Sequence, residues 1–441
     1  MKPGRDGMNR KILRLSIPSI ISSITVPLVG MTDMAIAGRL GDAAYIGGVA
    51  IGAMLFDMLY WNLGFLRIGT AGLTAQAYGR RDFKTAMRVL VQSLATAAAA
   101  AVLLLLIQYP YVWGAFQFVE CSAEVETYAR IYFGIRILAA PATLGLFALR
   151  GWFIGMQNTL SPMVVEFVVN GVNVGVSLYL VLVAGKGIAG LAWGTVLAQY
   201  SGLLCGGMLW LLYYRKLRKY IDWKACLNLR DIRRFFSLNG NLFLRSVCML
   251  CVYCGFTIFS AHYGDTMLAV CTIMMKLMLL YSYVVDGFAY AGEALTGRFI
   301  GAGDRPSLLR STRLLFIWCT GIGLVSTVLY LFAGEPLLRV MTSNYEVIAA
   351  ARPFLPWLLV MPVISCIAFM WDGIFIGATA AKALRDSMIF SVIGFFATYW
   401  LLAGVWGVHA LWAGYMMHLL VRTVAMTLYA PTKVFGKRLA G

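Results

Sequence analysis

Asp33 stands inside the apolar stretch KILRLSIPSIISSITVPLVGMTDMAIAGRL, residues 11–40. A carboxylate in such surroundings is costly and is usually kept for a function. Its natural chemistry is to hold a proton or a small cation such as Na⁺, because desolvation raises the proton affinity of an acid. Pro18 and Pro27 precede it. Proline removes backbone hydrogen bonds and kinks a helix, so these two are expected to act as the hinge of a bendable first helix.

Polar company for Asp33 is available further along. VVEFVVNGVNVGVSLYLV supplies Glu166, Asn170, Asn173 and Ser177, and the following apolar run supplies Thr195 and Gln199. Asn173 and Ser177 are four apart and share a helix face. Amide and hydroxyl groups can hydrogen-bond a carboxyl in either protonation state; interhelical hydrogen bonding alone is the competing reading of Asn173, Ser177 and Thr195.

A second set lies in the later half: Lys276, Asp286 and Glu293 in MMKLMLLYSYVVDGFAYAGEALTG, and Asp372 in FMWDGIFIG. Lys276 can pair with a carboxylate from another helix; Asp286 and Glu293 either titrate or hold helices together. A salt bridge to an arginine at the cytoplasmic helix ends is the plainer reading of Asp372. Asp57 and Arg67 are ten residues apart, too far to pair along one helix, so each needs a partner elsewhere or a water-filled cavity. His409 and His418 read as packing or interfacial groups.

The elements that carry these groups are membrane spans. The 441 residues are 61% hydrophobic and 13% charged, with a mean hydropathy of +0.78, whereas soluble domains are about 45–50% apolar and about 25% charged. A span needs about 20 mostly apolar residues. Twelve are expected, near 14–38, 45–76, 86–109, 127–150, 160–183, 188–214, 234–261, 266–296, 310–333, 352–375, 385–403 and 408–430. The first is read as retained, since it is longer than a signal-peptide core and no A-x-A-like site follows it.

The net charge of +18 sorts by topology. With the N-terminus placed in the cytoplasm, 27 of the 37 lysines and arginines fall on the cytoplasmic side, as the positive-inside rule requires. Both termini are then cytoplasmic, and the basic charge meets lipid headgroups rather than nucleic acid.

The chain also repeats itself. GDAAYIGGVAIGAMLF (41–56) resembles GDTMLAVCTIMMKLML (264–279), and AQAYGRRD (75–82) resembles GRFIGAGD (297–304). GWFIG (151–155) matches GIFIG (373–377), and GIAGLAWG (187–194) resembles GVHALWAG (407–414). The offset stays near 222 positions. Six spans separate equivalent points, so the halves insert in the same sense, an arrangement typical of alternating-access carriers. The expected organisation is an N-lobe over 1–214, a basic cytoplasmic linker over 215–233 and a C-lobe over 234–441.

Cys248, Cys251 and Cys254 form a C-x-x-C-x-x-C string in a membrane segment with no fourth ligand close by, and read as packing residues. Neither G-x-x-x-x-G-K-[ST], H-E-x-x-H nor G-x-S-x-G occurs. No enzyme, metal or bound cofactor is expected; transport would draw on an H⁺ or Na⁺ gradient.

TDMAIAGRLGDAAYIGGVAIG, FLRIGTAGLTAQAYGRRD, NVGVSLYLVLVAGKGIAGLAWGTVLAQ, DGFAYAGEALTGRFIGAGD and WDGIFIGATAAKALRDSM lie in both halves. Together they resemble the multidrug and toxic compound extrusion (MATE) transporters, most closely the bacterial DNA-damage-inducible (DinF-like) branch. The resemblance implies an all-α integral membrane protein of twelve transmembrane helices in two six-helix lobes, exporting amphipathic, often cationic compounds against H⁺ or Na⁺ across the bacterial inner membrane. It implies that Asp33 is the coupling carboxylate, with Asn173 and Thr195 at matching polar positions of the same site, that helix one bends at Pro18, and that Asp372 is a C-lobe candidate; Asn170 joins the coupling candidates from the residues alone. Ser177 departs from the pattern, since many relatives carry Asp there; the missing charge tilts the expectation toward H⁺, with Na⁺ at Asp33 the alternative. A flippase for lipid-linked precursors is the other reading, for which Arg67, Arg245 and Lys276 would supply the charge. A monomer is expected, with small amphipathic substrates and the lipid bilayer as its partners.

Overall fold

In hydrocarbon a helix satisfies its own backbone hydrogen bonds, so a chain this apolar folds into helices. The computed structural model describes residues 5–38, 43–117, 119, 121–221, 229–342 and 344–436, with no strand among them. Part of the expected linker, 222–228, and several basic residues counted above (Lys2, Arg39, Lys224, Lys437 and Arg438) lie outside the described residues.

The first half contains α1 (Arg5–Gly38), α2 (Ala43–Leu63), α3 (Phe65–Gly79), α4 (Phe83–Ala115), α5 (Ala123–Arg136), α6 (Ala140–Gly155), α7 (Leu160–Leu178) and α8 (Gly187–Tyr214). The second contains α9 (Leu229–Ala261), α10 (Asp265–Gly301), α11 (Arg305–Met341), α12 (Tyr345–Ala351), α13 (Leu355–Gly377), α14 (Ala381–Trp406) and α15 (Val408–Ala430). Ten spans are long and apolar enough to cross a membrane by length and composition, among the described residues. The helices α1 and α15 stand beside those ten.

Among the described residues, the second, fourth and tenth spans are interrupted. The second divides at Gly64 into α2 and α3. The fourth divides at a 3₁₀ turn, Ile137–Ala139, just before Pro141. The tenth divides at Arg352–Phe354, flanked by Pro356. Proline has no N–H to donate and favours the first turn of a helix, which restarts the helix there. By contrast, α1 stays helical through both Pro18 and Pro27.

The repeat is written into the backbone. Asp82 and Asp304 cap α4 and α11 with nearly equal dihedrals, each accepting from the backbone three residues on, Thr85 N at 3.0 Å and Ser307 N at 3.1 Å. Left-handed residues also come in pairs, Arg81 with Gly303 and Gln157 with Thr379. Both pairs share the 222-residue offset of the sequence repeat.

Packing divides the chain into two units. Ile21–Phe236 forms one; the residues up to Ile20 join Ser237–Gly441 in the other. In the first, Phe56 and Phe133 stack with ring centroids 4.6 Å apart, while Trp152 Nε1 donates to the Ala86 carbonyl at 2.9 Å. In the second, Phe256 meets Trp412 edge-on at 4.9 Å.

Candidate functional site

Asp33 is 4% exposed on α1. Its packing unit brings three other helices to it. From α7 comes Asn173, 1% exposed, whose amide lies beside the carboxyl. The Asn173 Nδ2 donates to Thr195 Oγ1 of α8 at 3.1 Å, and Thr195 in turn donates to the Leu191 carbonyl at 3.4 Å. Asn170, one turn back on α7, donates to the Thr25 carbonyl of α1 at 3.2 Å, close to Pro27. Four of the five coupling candidates, Asp33, Asn170, Asn173 and Thr195, thus converge on one helix junction.

Ser177 is fully buried and faces the backbone of Gly194, where α8 comes so close to α7 that a Cβ at Gly194 would strike the serine side chain. Small residues on both sides allow this approach. Asp33 Oδ1, Asn173 Oδ1 and Ser177 Oγ are buried with no hydrogen-bond partner in the protein. A set of hard, partly anionic oxygens suits a proton or an alkali cation, both of which would be cargo here. Among the described residues no group of three His, Cys, Asp or Glu side chains can hold a metal ion.

Two residues of this site escape a reading of the apolar runs. Tyr132 and Arg136 lie four apart on α5, on one face. Arg136 Nη1 donates to the Tyr132 hydroxyl at 3.0 Å, and that hydroxyl neighbours Thr195. The guanidinium lies 4.7 Å from the Phe56 ring centroid and feels the charges of both Asp33 and Asp57. Sequence position alone puts Arg136 near a helix end among the topological charges; its i, i+4 tyrosine was the available signal.

In the other unit Asp372 (8% exposed) pairs with both Arg245 of α9 and Arg422 of α15 (5% and 1% exposed). The arginine expected from the cytoplasmic helix ends comes instead from within two spans. Asp286 is half-buried on α10, and its charge acts on Arg422. Glu293 is buried on the same helix. Lys276 is exposed and forms no ion pair among the described residues. In the first unit, Arg150 pairs with Glu166 at 2.5 Å.

The model of the MatE family matches residues 18–179 and again 242–402, two stretches set apart by nearly the offset of the internal repeat. The chain belongs to the MatE family. It is 36% identical over 428 residues to the DNA damage-inducible protein F of Escherichia coli, covering 95% of this chain and 91% of that protein. Human multidrug and toxin extrusion protein 1 is 24% identical, over 92% of this chain and 71% of its own length. Two solved structures share the fold. A multidrug resistance MATE family transporter of the MOP superfamily, outward-facing, superposes with a TM-score of 0.85 at 19% identity, covering 97% of this chain and 96% of its own. A MATE in the bent conformation reaches 0.87 at 20% identity, covering 99% and 98%. This MatE protein is therefore a multi-pass membrane protein of the multidrug and toxin efflux transporters, and its resemblance to the DinF-like branch holds.

Proposed function

We propose that this MatE protein is an H⁺-coupled antiporter that exports amphipathic, often cationic compounds from the bacterial cytoplasm by alternating access. The observation that carries this reading is Asp33, a carboxylate 4% exposed beside Asn173 and in the field of Arg136. Protonation removes its charge, and with it the attraction for Arg136. A ligand shifts a conformational equilibrium only through differential affinity for its states. Asp33 offers that difference if the two states solvate its charge unequally, and Pro18 and Pro27 supply the bendable helix.

The fixed Arg136 charge favours H⁺ over Na⁺, since a tethered cation beside a lone carboxylate repels a second one. The unpartnered oxygens of Asn173 and Ser177 favour the second reading, Na⁺ coupling. The flippase reading loses Arg245, which is engaged by Asp372. We read 1–214 and 234–441 as the two lobes, with both termini in the cytoplasm because the basic loops gather there. The C-lobe pairing of Asp372 reads as structural.

Purified protein in liposomes, with pH and Na⁺ gradients imposed separately, tests the coupling. A pH gradient alone is expected to drive ethidium transport, and Asp33→Asn to reduce it to background. Transport on Na⁺ alone would install the second reading; undiminished transport by Asp33→Asn would sink both.

A further inference from the structure

The last two helices, α14 and α15, form an antiparallel pair with a hollow of about 400 Å³ along it. Phe390 of α14 lines it, with Met417, Val421, Val424, Ala425 and Tyr429 of α15, among others. These walls are apolar up to the Tyr429 hydroxyl, and Phe390 and Val424 stay half-exposed. From Met417 to Tyr429 the α15 wall runs about 18 Å, at 1.5 Å per residue. One leaflet of hydrocarbon is about 15 Å deep. The hollow thus has the length of one lipid tail lying between the membrane surface and the midplane.

Its outer end is basic. Gly394 sets the register of the two helices, since a Cβ there would lie 3.1 Å from Val421 Cγ2 and 3.6 Å from Met417 Cγ. In an antiparallel pair, Lys382, twelve residues before Gly394, is then level with Lys433, twelve after Val421. Each lysine also ends a row of every fourth residue, and such rows share a helix face. On α14 the row is Gly394, Phe390, Asp386 and Lys382; on α15 and the turn Pro431–Phe435 it is Val421, Ala425, Tyr429 and Lys433. The one carboxylate in these rows, Asp386, accepts from Arg385 Nε and Nη2 at 2.8 and 2.6 Å, while Arg385 Nη1 donates to Asn241 Oδ1 at 2.7 Å. Lys382 and Lys433 are exposed and form no ion pair among the described residues.

We propose that this hollow binds an anionic phospholipid, one tail lying along Phe390, Val421 and Ala425 and the phosphate meeting Lys382 and Lys433. Charge selects the headgroup: basic sites beside spans recognise anionic lipids, whereas a zwitterionic headgroup brings an ammonium that both lysines repel. An organic cation meets the same repulsion, and the nearby carboxylate is already held by Arg385. The site uses no coupling residue, so it holds whichever ion drives transport.

Binding of a fluorescent-tailed phosphatidylglycerol to the purified full-length protein in detergent micelles tests it. Unlabelled phosphatidylglycerol should displace the probe, and phosphatidylcholine with the same tails should compete more weakly. Lys382→Gln with Lys433→Gln should weaken phosphatidylglycerol binding about thirtyfold, about fivefold for each lysine, and leave phosphatidylcholine unaffected. Arginine at both positions keeps the preference. Ala425→Trp, which fills the hollow, lowers binding of both lipids. Phosphatidylglycerol should raise the melting temperature of the natural protein but not of the double glutamine variant; equal melting temperatures of the two in phosphatidylcholine separate loss of the site from loss of the fold. Unchanged phosphatidylglycerol binding by that double variant overturns the proposal. Equal weakening by Lys216→Gln with Lys219→Gln, an exposed basic pair just beyond α8, also overturns it, since the attraction would then be diffuse. Displacement of the probe by ethidium would give the hollow to a transported compound, displacement by glycerol phosphate would leave the tail no part, and a dimer dispersed by Ala425→Trp would seat a second copy there; each overturns it.

Discussion

The backbone of Gly151 on α6 lies against the Arg67 carbonyl on α3 so closely that no Cβ fits between them. Gly373 on α13 meets the Ala289 carbonyl on α10 in the same way, each partner 222 residues further along. Forcing a methyl into such a contact costs about 1–3 kcal/mol. Gly151→Ala and Gly373→Ala should each lower the melting temperature of the purified protein. Gly207 on α8 has open space around it. Ala there should leave the melting temperature unchanged or raise it, by about 1 kcal/mol at most.

The cap of α4 carries a pH dependence. Burial pushes the Asp82 carboxyl up, but the Thr85 hydroxyl and amide, with Arg80 and Arg88 nearby, outweigh it and hold the group below the ordinary carboxylate range. A depressed carboxyl stabilises the fold above its unfolded value, ~3.9, and that contribution fades as pH falls through the lower folded value. Asp82→Ala should cost about 1 kcal/mol near neutrality. The gap in melting temperature from the natural protein should narrow below pH ~4; a constant gap down to pH 3 would assign the loss to packing instead.

Asp372 balances two arginines that have almost no access to solvent. Its replacement by Asn removes the carboxylate that Arg245 and Arg422 share. Breaking a buried ionic group by removing one partner costs about 3–5 kcal/mol. Glu335, which pairs with Arg339 and Arg352 in an exposed position, should cost far less when its charge is removed. Thermal unfolding of Asp372→Asn beside Glu335→Gln compares the two directly, and equal shifts would contradict the buried pairing.

Asn173 and Thr195 share one hydrogen bond of 3.1 Å beneath Asp33. Either residue changed to Ala removes it and leaves its partner short, at about 1–3 kcal/mol each. The double variant should cost clearly less than the two singles added, because contacting residues couple by about 0.5–3 kcal/mol. Additive losses in a denaturation cycle would mean that the bond contributes nothing.

Hydropathy spaced at span length and the repeated G-[IW]-F-I-G and GRRD/GAGD segments determined, without coordinates, that this is a helical membrane protein with an internal duplication. Asp33 was equally legible, since a lone acid in an apolar run is expensive wherever the helix packs. Asn173 and Thr195 could be nominated from their polarity, but their bond crosses between α7 and α8 and depends on how the two helices are set. Tertiary structure alone decided that Arg136 belongs to the site and that Asp372 answers to Arg245 and Arg422. Hydropathy measures the cost of placing a residue in hydrocarbon and is a property of the local run. Which charge meets which is a property of helix contacts between residues far apart in the chain, and the same run of side chains is compatible with many of them.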